Sequence, residues 1–175
     1  LEGTIGIGHT RWATHGIPNT VNAHPHANAA VALVHNGIIE NFQPLRAELM
    51  SLGHAFETET DTEVILGLIQ EYLNHGMSPQ GATTEMLQRV EGAFALGIIF
   101  AGHDDLLIGA RRGCPLAVGY GDNAMFLGSD SLALAPLTER ISYLEEDDWV
   151  EISRNKASIY NGIGKKIERP IRVTS

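Results

Sequence analysis

Two periodicities divide this chain between them, and that division constrains its fold more than anything else in the sequence. Between residues 41 and 90, apolar residues recur at helical spacing in three successive segments. After Gly92 the pattern changes to short β-like runs between turn signals. The first helical segment has Asn41 as a candidate cap, Pro44 in its opening turn, and Leu45, Leu49 and Leu52 on one face, with Gly53 as its stop. The second opens on Thr60-Asp61-Thr62-Glu63, which has the form of a capping box. Val64, Ile65, Leu68, Ile69 and Tyr72 form its apolar stripe, and Gly76 ends it. The third starts at Ser78-Pro79 and turns Ala82, Met86 and Val90 inward. Strands are expected at 94–100, 106–110, 116–120, 125–127, 141–144, 149–152 and 157–160, with a hairpin turn at Gly121-Asp122-Asn123 and one helical turn at 131–135. Helices grouped apart from strands predict an α+β layered domain, not alternating β-α-β units. No repeat or low-complexity linker interrupts residues 1–175, so a single domain is expected.

The N-terminal quarter is less regular. Residues 4–9 read as a short strand whose glycines would permit close backbone approach. Residues 12–26, with Gly16, Pro18, Asn19 and Pro25, read as a long loop. The apolar run 30–34 reads as a buried strand, which His35-Asn36-Gly37 then breaks.

Charge narrows the function. The net charge of −9 repels phosphate backbones, so general nucleic-acid binding is not expected. No apolar run approaches the length needed to span a bilayer, and no signal-peptide pattern is visible. Cys114 is the only cysteine, which excludes an intrachain disulfide and fits a reducing cytosol.

The chemistry concentrates in His9-Thr10-Arg11-Trp12-Ala13-Thr14-His15-Gly16. Core packing does not ask for Arg, Trp, Thr and His crowded into one Gly/Pro-flanked loop. An arginine fork suits a carboxylate, and loops of this kind bind ligands. His9, His15, His24, His26 and His35 could be read as a metal cluster, but their spacing matches no zinc signature and no cysteine lies near them. No metal or other cofactor is expected. Cys114, between two strands, reads as a small half-buried filler rather than a nucleophile.

Four motifs in order carry a resemblance: HTRWATHG, Asn22-Ala23-His24-Pro25-His26, His35-Asn36-Gly37-Ile38-Ile39-Glu40-Asn41, and Glu59-Thr60-Asp61-Thr62-Glu63. Together they closely resemble the glutaminase (class II glutamine amidotransferase) domain of the glucosamine-6-phosphate synthases. The likeness continues through Ser129-Asp130 and Leu144-Glu145-Glu146-Asp147-Asp148. It implies an N-terminal-nucleophile sandwich, two antiparallel sheets between helical layers, here without its first strand and helix. It also implies that glutamine is hydrolysed through a thioester on an N-terminal cysteine. The ammonia then passes to sugar isomerase domains acting on fructose-6-phosphate.

Residue by residue, the resemblance gives Arg11 the glutamine α-carboxylate and Asp61 the α-ammonium. Asn36 and Gly37 match the oxyanion hole, for which a side-chain amide and a glycine N–H are suitable donors. Without the resemblance, Asp61 reads as a helix-terminal acid and Asn36-Gly37 as a turn. Thr14 and His15 lie in the stretch that closes over glutamine, and Trp12 matches a tryptophan shielding the site. His24 matches a histidine near the glutamine, or is a structural residue of a proline-fixed turn. The resemblance places the nucleophile before Leu1, so this polypeptide alone is expected to release no glutamate. A strand's absence is expected to leave an edge open to self-association. The competing readings are another class II amidotransferase, or a non-catalytic fragment that binds glutamine, glutamate or a partner chain.

Overall fold

The computed structural model describes residues 3–10 and 16–173. Arg11, Trp12, Thr14 and His15 lie outside them, so the binding roles expected for these four are not addressed by the geometry below.

The helical segments form where expected. α1 (Phe42–Ser51) buries Leu45 and Leu49, while Leu52 caps it and lies exposed. α2 (Thr62–Asn74) buries Val64, Ile65, Leu68 and Ile69. α3 (Pro79–Arg89) buries Ala82 and Met86, and its Ser78 hydroxyl accepts from the N–H of Gly81. Two expected caps are used differently. Asn41 makes no cap bond; its amide donates to the Arg89 carbonyl and accepts from the Glu91 N–H, tying α1's start to α3's end. The capping box at Thr60 does not close either. Glu63 reaches back past it to the N–H groups of Glu57 and Thr58, both at 2.8 Å.

Eleven strands build two antiparallel sheets among the described residues. The larger runs in the order β1 (His26–Ala27), β2 (Val31–Ile39), β3 (Gly92–Phe100), β4 (Leu107–Arg112), β8 (Trp149–Ser153), β9 (Lys156–Tyr160), β10 (Lys166–Ile167). The smaller runs β11 (Arg172–Val173), β7 (Arg140–Tyr143), β5 (Ala117–Tyr120), β6 (Met125–Gly128). Strand alternation sends Phe94, Leu96 and Ile98 of β3 toward the helices and Ala95 and Ile99 toward the second sheet. One core therefore fills the space under α1–α3, and another lies between the sheets, where Val118, Val150 and Ile152 meet. Among the described residues, the turn α4 (Ser131–Leu134) packs on the smaller sheet through Leu134, against Ala117 and Ile141.

Two N-terminal expectations are corrected. Residues 4–9 form no strand; Ile5 and Ile7 rest against the inter-sheet core without a ladder partner. The close backbone approach read from the glycines is also absent, since a Cβ built on Gly6 or Gly8 meets nothing within 4 Å. Conversely, His35-Asn36-Gly37 does not end β2. The strand runs on through it, pairing Asn36 with Ala95 and Gly37 with Phe94. Gly37 tolerates this with φ +124°, and its place requires glycine, because a Cβ would stand 2.0 Å from the Ala93 carbonyl oxygen.

Candidate active site

The site forms where the far half of β2 meets the first turn of α2. A cleft of about 240 Å³ opens there, lined by His9, Thr10, His24, Asn36, Gly37, Asp61 and their neighbours. Four expected site residues, Asn36, Gly37, Asp61 and His24, thus share one cavity. Arg11 follows directly on Thr10, which lines the same wall.

Asp61 is only 3% exposed. Although it stands at the N-terminus of α2, its carboxylate does not cap that helix. One oxygen instead accepts the Ile39 N–H at 2.7 Å, across from helix to strand. A carboxylate so desolvated and so fixed is suited to receive a cation, because removal from water strengthens every charge-assisted bond it makes. Asn36 is exposed and Gly37 half-buried, both facing the cleft from β2. Donors preorganised on a strand can meet a developing oxyanion without reorganising.

Around these residues runs a web of buried bonds that the sequence did not advertise. The Thr62 hydroxyl lies 3.0 Å from Nδ1 of His35 and 3.2 Å from Nε2 of His24. The Thr60 hydroxyl lies 3.2 Å from Nε2 of His26 and 2.9 Å from the hydroxyl of Thr58. Glu63 takes that Thr58 hydroxyl at 2.6 Å. Asn22, also buried, accepts the Glu59 N–H and donates to the Ile17 carbonyl, fastening the long loop to the approach of α2. The stretch Glu57-Thr58-Glu59-Thr60-Asp61-Thr62-Glu63 is polar throughout, and such a run ordinarily reads as solvated surface. The available clue was its position, directly before a strongly apolar helical stripe and rich in threonines able to bond to imidazoles.

The histidine rings themselves cluster, His9 to His24 at 4.5 Å and His24 to His26 at 4.8 Å between centroids. Among the described residues no group of three potential metal ligands is arranged to hold an ion. Cys114 is not among the cleft's lining residues; it packs against the inter-sheet core.

A sandwich of two antiparallel sheets thus carries a cleft lined by Asn36, Gly37 and Asp61. The family described as "Glutamine amidotransferase domain" matches residues 1–167, and the chain belongs to it. Similar curated proteins are named glutamine–fructose-6-phosphate aminotransferase (isomerizing). The one from Mesorhizobium japonicum is 58% identical over 169 residues, covering 97% of this chain and 28% of that protein. The one from Bradyrhizobium diazoefficiens is 59% identical, with the same coverage. The chain thus spans 28% of the length of these relatives. Among solved structures, a glutamine phosphoribosylpyrophosphate amidotransferase from B. subtilis matches with TM-score 0.72 at 24% identity, covering 88% of this chain and 34% of that one. A structure described as the allosteric regulatory enzyme of purine biosynthesis matches at 0.73 and 25% identity, with the same coverage. These likenesses establish the α+β sandwich of the N-terminal-nucleophile amidotransferases. No helix among the described residues is long and apolar enough to cross a membrane.

Proposed function

We propose that the cleft binds L-glutamine and that the domain supplies ammonia for converting fructose-6-phosphate to glucosamine-6-phosphate in amino-sugar synthesis. Asp61 receives the α-ammonium and Arg11 the α-carboxylate, with Thr14, His15 and Trp12 closing over the ligand beside His24. Asn36 and the Gly37 N–H stabilise the oxyanion formed when a thiolate adds to the side-chain amide carbonyl. Collapse of that adduct breaks the C–N bond, and the nitrogen leaves as ammonia carrying the thiol's proton. Water then cleaves the thioester, returning the thiol and releasing glutamate.

The cleft-lining residues include no thiol. We assign the attacking sulfur to a cysteine other than Cys114, which packs against the inter-sheet core and does not line the cleft. Sugar isomerase domains, which consume the ammonia, are the partners of this reading, and the cytoplasm its compartment. Self-association of the isolated chain through an open sheet edge belongs to the same reading.

The observation that carries this reading is the shared cavity of Asp61 and Asn36-Gly37 in a chain so similar to the fructose-6-phosphate aminotransferases. Titrating L-glutamate, the product, while following tryptophan fluorescence tests it, since Trp12 lies two positions beyond the cleft residue Thr10. Saturable binding is expected in the wild type. Asp61→Asn should weaken it by roughly a hundredfold, the cost of removing one member of a desolvated charge pair. Equal binding by wild type and Asp61→Asn would remove the ammonium assignment.

A further inference from the structure

The first turn of α2 holds β2 at two points that bracket the oxyanion-hole residues. At one end the Ile39 N–H donates to Asp61. At the other, the buried ring of His35 meets the Thr62 hydroxyl. Asn36 and Gly37 lie between these ties. Among the described residues, β1 pairs with β2 only at Ala32 and Leu33, so from Val34 to Ile39 no strand flanks that side of β2. A strand edge without a ladder is held by whatever side chains reach it, and here adjacent residues of one helix turn do so.

The Thr62 hydroxyl also touches His24, and its chemistry limits both rings. A hydroxyl has one hydrogen to give and two lone pairs to accept with. Set between Nδ1 of His35 and Nε2 of His24, it can donate to only one of them. The other ring must therefore present an N–H to it. The two imidazoles cannot choose their tautomers independently while this bridge stands.

We propose that Thr62 is a positioning residue for glutamine hydrolysis. Its hydroxyl sets the ring hydrogens of His24 and His35 and, through His35, holds the Asn36-Gly37 segment at the geometry an oxyanion requires. This rests on the reading of the cleft as a glutamine amidase site. Thr62→Val keeps the shape and removes the bridge; Thr62→Ser keeps the bridge.

In this chain, long-range proton–nitrogen spectra of the imidazoles report the tautomers directly. The wild type is expected to show at least one ring with its hydrogen on the nitrogen facing position 62. Thr62→Val should redistribute the tautomers of both rings, and Thr62→Ser should retain the wild-type pattern. In the complete gene product, Thr62→Val should lower kcat for glutamine roughly ten- to a hundredfold, as misplacement of a catalytic group does. KM should stay within about twofold, because the lost interaction acts in the transition state. Thr62→Ser should recover most of the rate. Unchanged tautomers and unchanged kcat in Thr62→Val overturn the proposal. So does a parallel fall in kcat, substrate affinity and Tm that serine does not rescue, which marks a merely structural residue. If the wild-type product hydrolyses no glutamine, the functional reading fails and takes the catalytic half of the proposal with it. Spectra with bare nitrogens on both rings toward position 62 overturn the bridge itself, whatever the activity.

Discussion

Two polar regions of this molecule invite comparison. The cleft at the start of α2 is small, about 240 Å³, while the cavity between α3 and the acidic loop 145–148 is about 650 Å³, lined by Phe94, Arg111, Arg112, Asp147 and Trp149 among others. In the larger cavity, Arg111 pairs with Glu146 at 2.8 Å and Arg112 with Asp147 at 2.6 Å, and both acids are well exposed. Water screens such pairs, and each contributes little to stability. In the cleft, Thr60, Asp61, Thr62 and His35 are almost wholly buried, and their bonds cross between helix, strand and loop. Desolvated bonds of this kind set geometry, because a misplaced partner leaves a buried group unsatisfied.

The sharpest way to break this contrast is at Gly37. An alanine there combines a left-handed backbone with a Cβ 2.0 Å from the Ala93 carbonyl oxygen, and the obstacle is backbone, which cannot rotate away. Gly37→Ala should cost about 3 kcal/mol or more, since strain and overpacking add. Gly6→Ala, facing open space, should stay within about 0.5 kcal/mol of the wild type. Urea denaturation of the two variants side by side checks this. Equal midpoints would show that β2 can shift at position 37, and that the Asn36-Gly37 segment is not rigidly held.

Gly37 also shows where a sequence stops being readable. The helices were legible because burial repeats with the helical period, as Val64, Ile65, Leu68 and Ile69 show. The longer strands were legible as apolar runs. β2's continuation was not, because Asn-Gly is locally a turn signal, and only β3's long ladder and the ties to α2 overrule it. Residues 4–9 erred the other way: an alternating pattern makes a strand only where a partner ladder exists. β1, β10 and β11, two residues each, are too short to carry a period. At the site, the motif resemblance gives roles to Asn36, Gly37, Asp61 and His24, whereas Thr60 and Thr62 figure in the sequence only as members of a capping box and a motif, with no role at the site. Their roles depend on histidines more than twenty residues away in sequence, and nothing local records that contact.

The acidic loop allows the comparison to be sharpened within four residues. Asp148 is fully buried and accepts two bonds from Arg169, at 2.8 and 3.0 Å, and a third from the Glu145 N–H at 2.7 Å. Its neighbour Asp147 makes the exposed pair with Arg112 from a left-handed backbone, φ 61°. Asparagine suits that backbone as well as aspartate does. Asp148→Asn should therefore destabilise by about 3 kcal/mol, the lower range for breaking a buried pair, and Asp147→Asn by less than about 1 kcal/mol. Similar losses, read from thermal or urea unfolding, would mean that desolvation is not what separates these two sites.

The smallest expected effect concerns Cys114, which sits beside this second region and is the chain's one thiol. Burial pushes its pKa above the ordinary 9.0; nearby Arg111 opposes this and Glu146 reinforces it. The fold thus favours the neutral thiol, the reverse of what an attacking sulfur needs. The sign of the linkage follows. In the unfolded chain the thiol ionises near 9.0, so its contribution to stability is complete below that pH and is lost as pH rises through the higher folded value. At neutral pH, Cys114→Ser should leave the unfolding midpoint nearly unchanged, and alkylation by iodoacetamide should be slower in the folded chain than in urea. The folded chain's alkylation rate should climb at a higher pH than the unfolded chain's. Fast alkylation near pH 7, blocked by L-glutamate, would instead put a reactive thiol at the ligand site. It would overturn the assignment of the nucleophile to a cysteine other than Cys114.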